Sequence, residues 1–100
     1  MFKIELPRLV GTREAATELL EQKQIPVELA GADVYILGRS LATSTISFAD
    51  ELLKQLSARH AGDIILVGTP GRFENDIKNA AARRKLDSVR LGTQQDVALF

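Results

Sequence analysis

Two four-residue apolar runs, each closed by a glycine, constrain this chain more than any other feature in it. Val34-Tyr35-Ile36-Leu37 ends at Gly38, and Ile64-Ile65-Leu66-Val67 ends at Gly68. Runs that are apolar at every position, not at alternate ones, suit strands covered on both faces. They are also too short to be buried helices. Between them, Phe48, Leu52, Leu53 and Leu56 recur at the spacing of one helical face, which predicts a helix over residues 48–58. Strands alternating with helices imply a sheet covered by crossover helices.

The flanking segments extend the pattern. Phe2, Ile4 and Leu6 alternate with Lys3 and Glu5, as in a half-buried strand ended by Pro7. Thr12 suits a helix N-cap, Glu14 sits in the first turn, and Ala16, Leu19 and Leu20 share a face. Residues 25–29 read as a short extended piece and residues 30–33 as a turn. Ser47 with Asp50 three positions on resembles a capping box for the helix from Phe48, and Ala61-Gly62 is expected to stop that helix. If Thr69 caps the next helix, Pro70 takes the tolerated first position. That helix is expected from about Phe73 to Leu86, with Phe73, Ile77, Ala80 and Ala81 inward, and Val89 and Leu91 as a short last strand. The expectation is one α/β domain spanning residues 1–100, with four or five strands and three main helices.

Composition narrows the function classes. A chain of 100 residues, 45% hydrophobic and 26% charged, has globular and not disordered character. It has no cysteine, which excludes disulfides, iron–sulfur ligation and Cys-based zinc sites and fits a cytoplasmic location. Net charge is zero, so no global basic field draws it to nucleic acid. Arg83-Arg84-Lys85 closes an amphipathic helix, where cations suit the dipole, and no aromatic residue interleaves them. No apolar run approaches the roughly 20 residues that span a bilayer. The N-terminal segment lacks the basic start and apolar core of a signal peptide. No nucleic-acid or membrane partner and no cofactor is therefore expected. His60 is the sole histidine and sits at an expected helix end; without cysteine it does not make a transition-metal site.

Three places carry candidate chemistry. Ser44, Thr45 and Ser47 belong to the hydroxyl-rich stretch 39–47 that leads into a helix. A phosphate there would sit beside helix N–H groups and could recruit or repel a partner; equally, the hydroxyls cap the helix and satisfy loop backbone. Asp50 and Glu51 could meet a partner's basic group, Asp50 could bind a cation, or the two acids could serve the helix dipole. Adjacent helical positions diverge, so they do not form a catalytic pair. Gly68-Thr69-Pro70-Gly71-Arg72 follows the central strand, where glycines can cradle a phosphate. It is neither a Walker loop nor Gly-x-Gly-x-x-Gly, and Pro70 removes a donor, so it also reads as a plain turn.

The buried strand Val34–Leu37, the polar loop, and the run Ser47-Phe48-Ala49-Asp50-Glu51-Leu52 resemble the signature of the STAS-like family of unknown function. Thr12-Arg13-Glu14-Ala15 resembles that family's (Ser/Thr)-Arg-x-x-Ala helix opening, and the likeness covers roughly residues 11–90. Gly38 stands where the family usually has an acid. The stretch from Arg13 to Val34 is longer than usual, which makes residues 24–33 an extra hairpin arm. The resemblance implies a small STAS-like domain with a mixed sheet of four to five strands and about three helices. It also implies a bacterial signalling setting. The family is similar to anti-sigma-factor antagonists, in which a Ser or Thr at the corresponding helix start is phosphorylated by a partner kinase and docking is blocked. Thr45 best matches that position, with Ser44 and Ser47 adjacent. The antagonists' Asp-Ser-Ser-Gly pattern is absent, with Ile46 and Phe48 in place of its small positions.

The leading expectation is thus a non-enzymatic regulatory module. It would dock a protein, of histidine-kinase-like ATPase type by resemblance, through loop 39–47 and the helix from Phe48. One alternative is a structural or homodimerising subunit pairing through residues 24–33 or a sheet edge. Another is a weak nucleotide- or phosphate-binding protein using Gly68, Thr69, Gly71 and Arg72.

Overall fold

A computed structural model of the chain describes residues 1–99. Four strands, β1 (Phe2–Glu5), β2 (Val34–Leu37), β3 (Ile64–Val67) and β4 (Val89–Leu91), alternate with α1 (Arg13–Gln22), α2 (Ile46–Ala58), α3 (Gly71–Arg83) and a short α4 (Gln94–Ala98). The strands lie in the order β1-β2-β3-β4 and every pair is parallel. The register aligns Phe2 with Val34 and Val34 with Ile64, and then Ile64 with Val89.

This corrects the mixed sheet expected of a STAS-like domain. An antiparallel neighbour needs a short reversal, whereas a parallel one needs a crossover. Here a helix intervenes between each strand and the next, so each connection returns the chain to the same edge. The hairpin arm expected at residues 24–33 and the extended piece within it are also absent: that segment forms turns and irregular backbone without strand pairing. It is held against the α2–β3 connection instead. Arg59 Nη1 donates to the Ile25 carbonyl at 2.7 Å, Leu29 N–H to Arg59 O at 2.7 Å, and Gly31 N–H to His60 O at 2.8 Å.

All three long helices cover one face of the sheet. Ile4, Val34, Ile36, Ile64 and Leu66 share a single core with Ala16, Leu19 and Leu20 of α1, Phe48, Leu52, Leu53 and Leu56 of α2, and Phe73, Ile77 and Ala80 of α3. The opposite face holds Tyr35, Ile65 and Val67 as a separate small cluster, flanked by Lys3 and Glu5 on β1 and Arg90 on β4. This explains the alternation in β1: its polar positions lie on the face the helices do not cover. After β4 the chain turns back, and Asp96 of α4 meets the Tyr35 hydroxyl at 3.4 Å. Thr93 and Asp96 form a reciprocal capping box at the start of α4.

The architecture is a stack of like units opening at Phe2, Val34, Ile64 and Val89, a repetition that is not apparent from the residue types. The helix ends make it explicit. Each long helix closes with a left-handed residue that is not glycine: Gln24 (φ 55°), His60 (φ 60°) and Lys85 (φ 56°). Each follows a basic C-cap, Lys23, Arg59 or Arg84. The next N–H then reaches back five residues, Ile25 to Leu20, Ala61 to Leu56 and Leu86 to Ala81, as in a Schellman motif. The α2 stop is therefore His60 and not Ala61-Gly62. The left-handed conformation strains an L residue by about 1–2 kcal/mol. Lys85→Gly is expected to raise stability by about 1 kcal/mol in urea denaturation, after allowing for glycine's greater freedom when unfolded. An unchanged or lower midpoint would contradict that assignment.

Candidate functional site: the loops at the carboxyl edge of the sheet

Because every strand runs the same way, the connections leaving β1, β2, β3 and β4 all emerge at one edge. That edge carries Ser44, Thr45 and Ser47 on the second connection and Gly68 to Arg72 on the third. The two sequence-predicted groups are thus brought to one side of the molecule.

The first two loops are stitched together. Leu9 and Thr43 form a parallel bridge. Ala42 N–H donates to Arg8 O at 2.8 Å, and Val10 N–H to Thr43 O at 3.0 Å. The Thr45 hydroxyl donates to Gly11 O at 2.9 Å and accepts from Phe48 N–H at 3.2 Å. Thr45 is thereby the N-cap of α2, two residues before the Ser47 cap expected from the sequence. The second and third loops touch at Gly38, where a Cβ would lie 2.7 Å from Thr69 Cγ2 and 2.9 Å from Thr69 Cα. Only a residue without a side chain fits that approach.

The hydroxyls differ in availability. Ser44 is half-buried and Thr45 is engaged as both donor and acceptor. Ser47 is exposed in the first turn of α2. Beside it, Ile46 is 57% exposed, and Leu9 on the adjoining loop is 67% exposed.

Asp50 and Glu51 do not join this group. They lie in the helix layer, answered by arginines from both neighbouring helices. Arg84 Nε and Nη2 each donate to Asp50 at 2.9 Å, and Arg13 Nη1 donates to Asp50 at 3.0 Å and to Glu51 at 3.3 Å. Gln55 donates to Glu51 at 3.0 Å and to Thr17 at 2.7 Å. The Arg84 guanidinium, helped by Arg13, holds the Asp50 carboxyl well down, from its usual 3.8 to about 2, against a burial effect of opposite sign. Glu51 is lowered too, first by Gln55 and then by Arg13. The folded state therefore binds the Asp50 proton less readily than the unfolded chain. Its stabilisation is present above the usual carboxylate range and is lost as pH falls toward about 2. Asp50→Asn is expected to cost about 2 kcal/mol at neutral pH. The gap between wild type and variant should close on acidification, as protonated Asp50 comes to resemble Asn. A gap independent of pH in denaturant titrations would contradict the ion-pair role.

The glycine-containing loop is closed differently from expectation. Pro70, not Thr69, is the N-cap of α3, and it supplies no side-chain cap. The Thr69 hydroxyl donates to Glu74 at 3.0 Å. Gly68 lies just beyond β3, Gly71 opens α3, and Arg72 is exposed. The strand order never reverses, so these loops are not splayed apart in the manner that makes a ligand crevice in doubly wound sheets.

Two clusters escaped the sequence reading. The Arg13–Asp50–Arg84 bridge joins α1, α2 and α3. On the other face, Arg90 Nη1 donates to Asp96 at 2.9 Å and the Thr93 N–H and hydroxyl add bonds at 2.8 and 3.0 Å. Arg90 first, then Thr93, hold Asp96 far below the usual carboxylate range. Partners so distant in sequence leave no local pattern; only the Thr93-x-x-Asp96 capping box was visible in principle. Among the described residues no helix is long and apolar enough to cross a membrane, and no cluster of three or more His, Cys, Asp or Glu could hold a metal ion. No family model, curated protein or solved structure matches the chain.

Proposed function

We propose that the domain is a non-enzymatic binding module that docks a protein partner at the carboxyl edge of its sheet, with Leu9 and Ile46 as the apolar contacts. One observation carries this reading: two large aliphatic side chains, 67% and 57% exposed, stand on the first loop and on the opening residue of α2, and the loop leading into α2 is hydrogen-bonded to the first. Apolar groups held on a stitched backbone lose little freedom on binding, which is what a docking surface needs. The occupation of Asp50 and Glu51 by arginines supports a role other than acid–base chemistry for the neighbouring acids.

Within this reading Ser47, and not Thr45, is the hydroxyl through which phosphorylation would act. A phosphate on Thr45 would have to break both bonds that cap α2 and tie its loop to Gly11. On Ser47 it would meet the favourable end of the helix dipole and place nearly two negative charges beside Ile46. Charge of that size next to an apolar contact disfavours docking by desolvation.

The test compares proteins recovered by wild type, Ile46→Glu and Ser47→Asp from the cells that make this chain, after circular dichroism has shown all three folded. A partner held by wild type is expected to bind both variants at least tenfold more weakly, a change of about 1.4 kcal/mol. Equal recovery by all three proteins would remove the carboxyl edge as the docking surface.

A further inference from the structure

The connections leaving β1, β2 and β3 each deliver one arginine to the carboxyl edge: Arg8 within residues 6–12, Arg39 within residues 38–45, and Arg72 as the second residue of α3. No aspartate or glutamate occurs in residues 6–12, 38–45 or 68–72. The connections at the opposite edge mix the two signs: Lys23 with Glu28 and Asp33, Arg59 with Asp63, Arg84 and Lys85 with Asp87. The positive charge of the carboxyl edge is thus local, in a chain whose net charge is zero.

These three arginines are exposed, and no ion pair or hydrogen bond joins their side chains to a described residue. Elsewhere in the fold arginines are used internally: Arg13, Arg84 and Arg90 each hold a carboxylate, and Arg59 holds the Ile25 and Pro26 carbonyls. Arg39 lies across the start of the neighbouring connection, its Cγ 3.2 Å from where a Cβ on Gly68 would stand. It shares a depression with Glu5 without pairing with it. Adjacent strands are about 4.8 Å apart, so β1 and β3, which feed the outer two arginines, lie within about 10 Å of each other.

Helix direction adds to the charge. Each long helix runs back from this edge, so α1, α2 and α3 all turn their positive ends toward it. The acids nearest the edge stand in first helical turns: Glu14 on α1, and Glu74 on α3, which accepts from the Thr69 hydroxyl. Guanidinium groups suit carboxylates, which they bind through paired N–H donors. Nucleic acid is the less fitting polyanion, because residues 6–12, 38–45 and 68–72 contain no aromatic side chain on which a base could stack. They present the exposed Leu9 beside Arg8 instead.

Resting on the docking reading of this edge, we propose that its protein partner is acidic: a segment whose carboxylates meet Arg8, Arg39 and Arg72 while one of its apolar side chains meets Leu9 and Ile46. Opposite charge then steers the encounter, and the apolar contact holds it. A phosphate on Ser47 gains a second effect, because it would cancel much of the positive field that draws such a partner in.

Fluorescence anisotropy of the full chain decides the matter. The probe is a labelled Glu-Glu-Leu-Glu-Glu-Leu peptide, run beside its glutamine counterpart and a single-stranded oligouridylate. Wild type is expected to bind the acidic peptide most tightly of the three at low salt and to release it as salt rises. Arg8→Gln, Arg39→Gln and Arg72→Gln combined should weaken that binding about tenfold or more, and each alone should give a smaller loss of the same kind. Lys78→Gln, Arg83→Gln and Lys85→Gln combined remove the same charge from α3 and its far end and should leave binding unchanged. Circular dichroism shows whether the triple variants are folded, and the single variants serve if one is not. No binding of the acidic peptide, equal binding of the glutamine peptide, equal loss in both triple variants, or tighter binding of the oligouridylate would each overturn the acidic partner. Ile46→Ala separates this result from the docking reading. Peptide binding that needs the arginines but ignores Ile46→Ala would uphold the acidic contact and remove Ile46 as the apolar one. A cellular partner lost on Ile46→Glu but kept by the Arg8, Arg39 and Arg72 variant would keep the docking surface and overturn its acidic partner.

Discussion

Phe48→Ala is expected to cost about 4 kcal/mol, a large part of the roughly 5–15 kcal/mol that holds a domain of this size together. Phe48 is fully buried in the first turn of α2, and its ring centroid lies 6.5 Å from that of Phe73 on α3, tilted by 43°. The helix layer is a single row, α1 beside α2 beside α3. A cavity at this contact therefore loosens α3 from the rest of the stack, and few side chains can move in to fill it. The backbone consequence is small, because Thr45 caps the Phe48 N–H and not the ring. Phe48→Leu, which keeps most of the volume, should cost much less, about 1–1.5 kcal/mol. Urea denaturation of the three proteins gives the comparison. An alanine variant losing under about 1 kcal/mol would show that the ring is not part of the core.

Gly62→Ala should be the most damaging change outside the apolar core, at about 3 kcal/mol for the addition of one methyl group. Gly62 follows the end of α2, where the segment 30–33 crosses it. A Cβ would run into the Gly31 carbonyl oxygen and would lie 2.9 Å from Asp33 Oδ1. Neither obstacle can retreat easily. Gly31 N–H is bonded to His60 O and Gly62 N–H to Ala32 O, both at 2.8 Å, while Asp33 Oδ1 accepts from Asp63 N–H at 2.9 Å. The methyl group must therefore break the latch that replaces the expected hairpin arm. Amide exchange gives a second readout: protection should fall first in residues 29–34 and 59–63, ahead of β3. A variant with unchanged midpoint would mean that the two connections are not packed as described.

By itself the sequence determined the local elements, because those depend on neighbours in the chain. The unbroken apolar runs at Val34–Leu37 and Ile64–Val67 became strands buried almost completely. The alternation of Phe2, Ile4 and Leu6 with Lys3 and Glu5 marked a strand with one uncovered face. The stripe Phe48, Leu52, Leu53, Leu56 faced the core as its spacing required, and Thr12 capped α1. Caps further along were placed less well: two nearby hydroxyls compete at the start of α2, and the one that could also reach Gly11 took the position. What only the tertiary structure decided was direction and partnership. A strand reads alike whether its neighbour runs parallel or antiparallel, so the all-parallel order had to come from where each helix returned the chain. Asp50 likewise looks the same as a capping acid and as an ion-pair partner. Arg13 and Arg84, 37 and 34 residues away, made the difference, because charges pair through space and leave no periodicity along the chain.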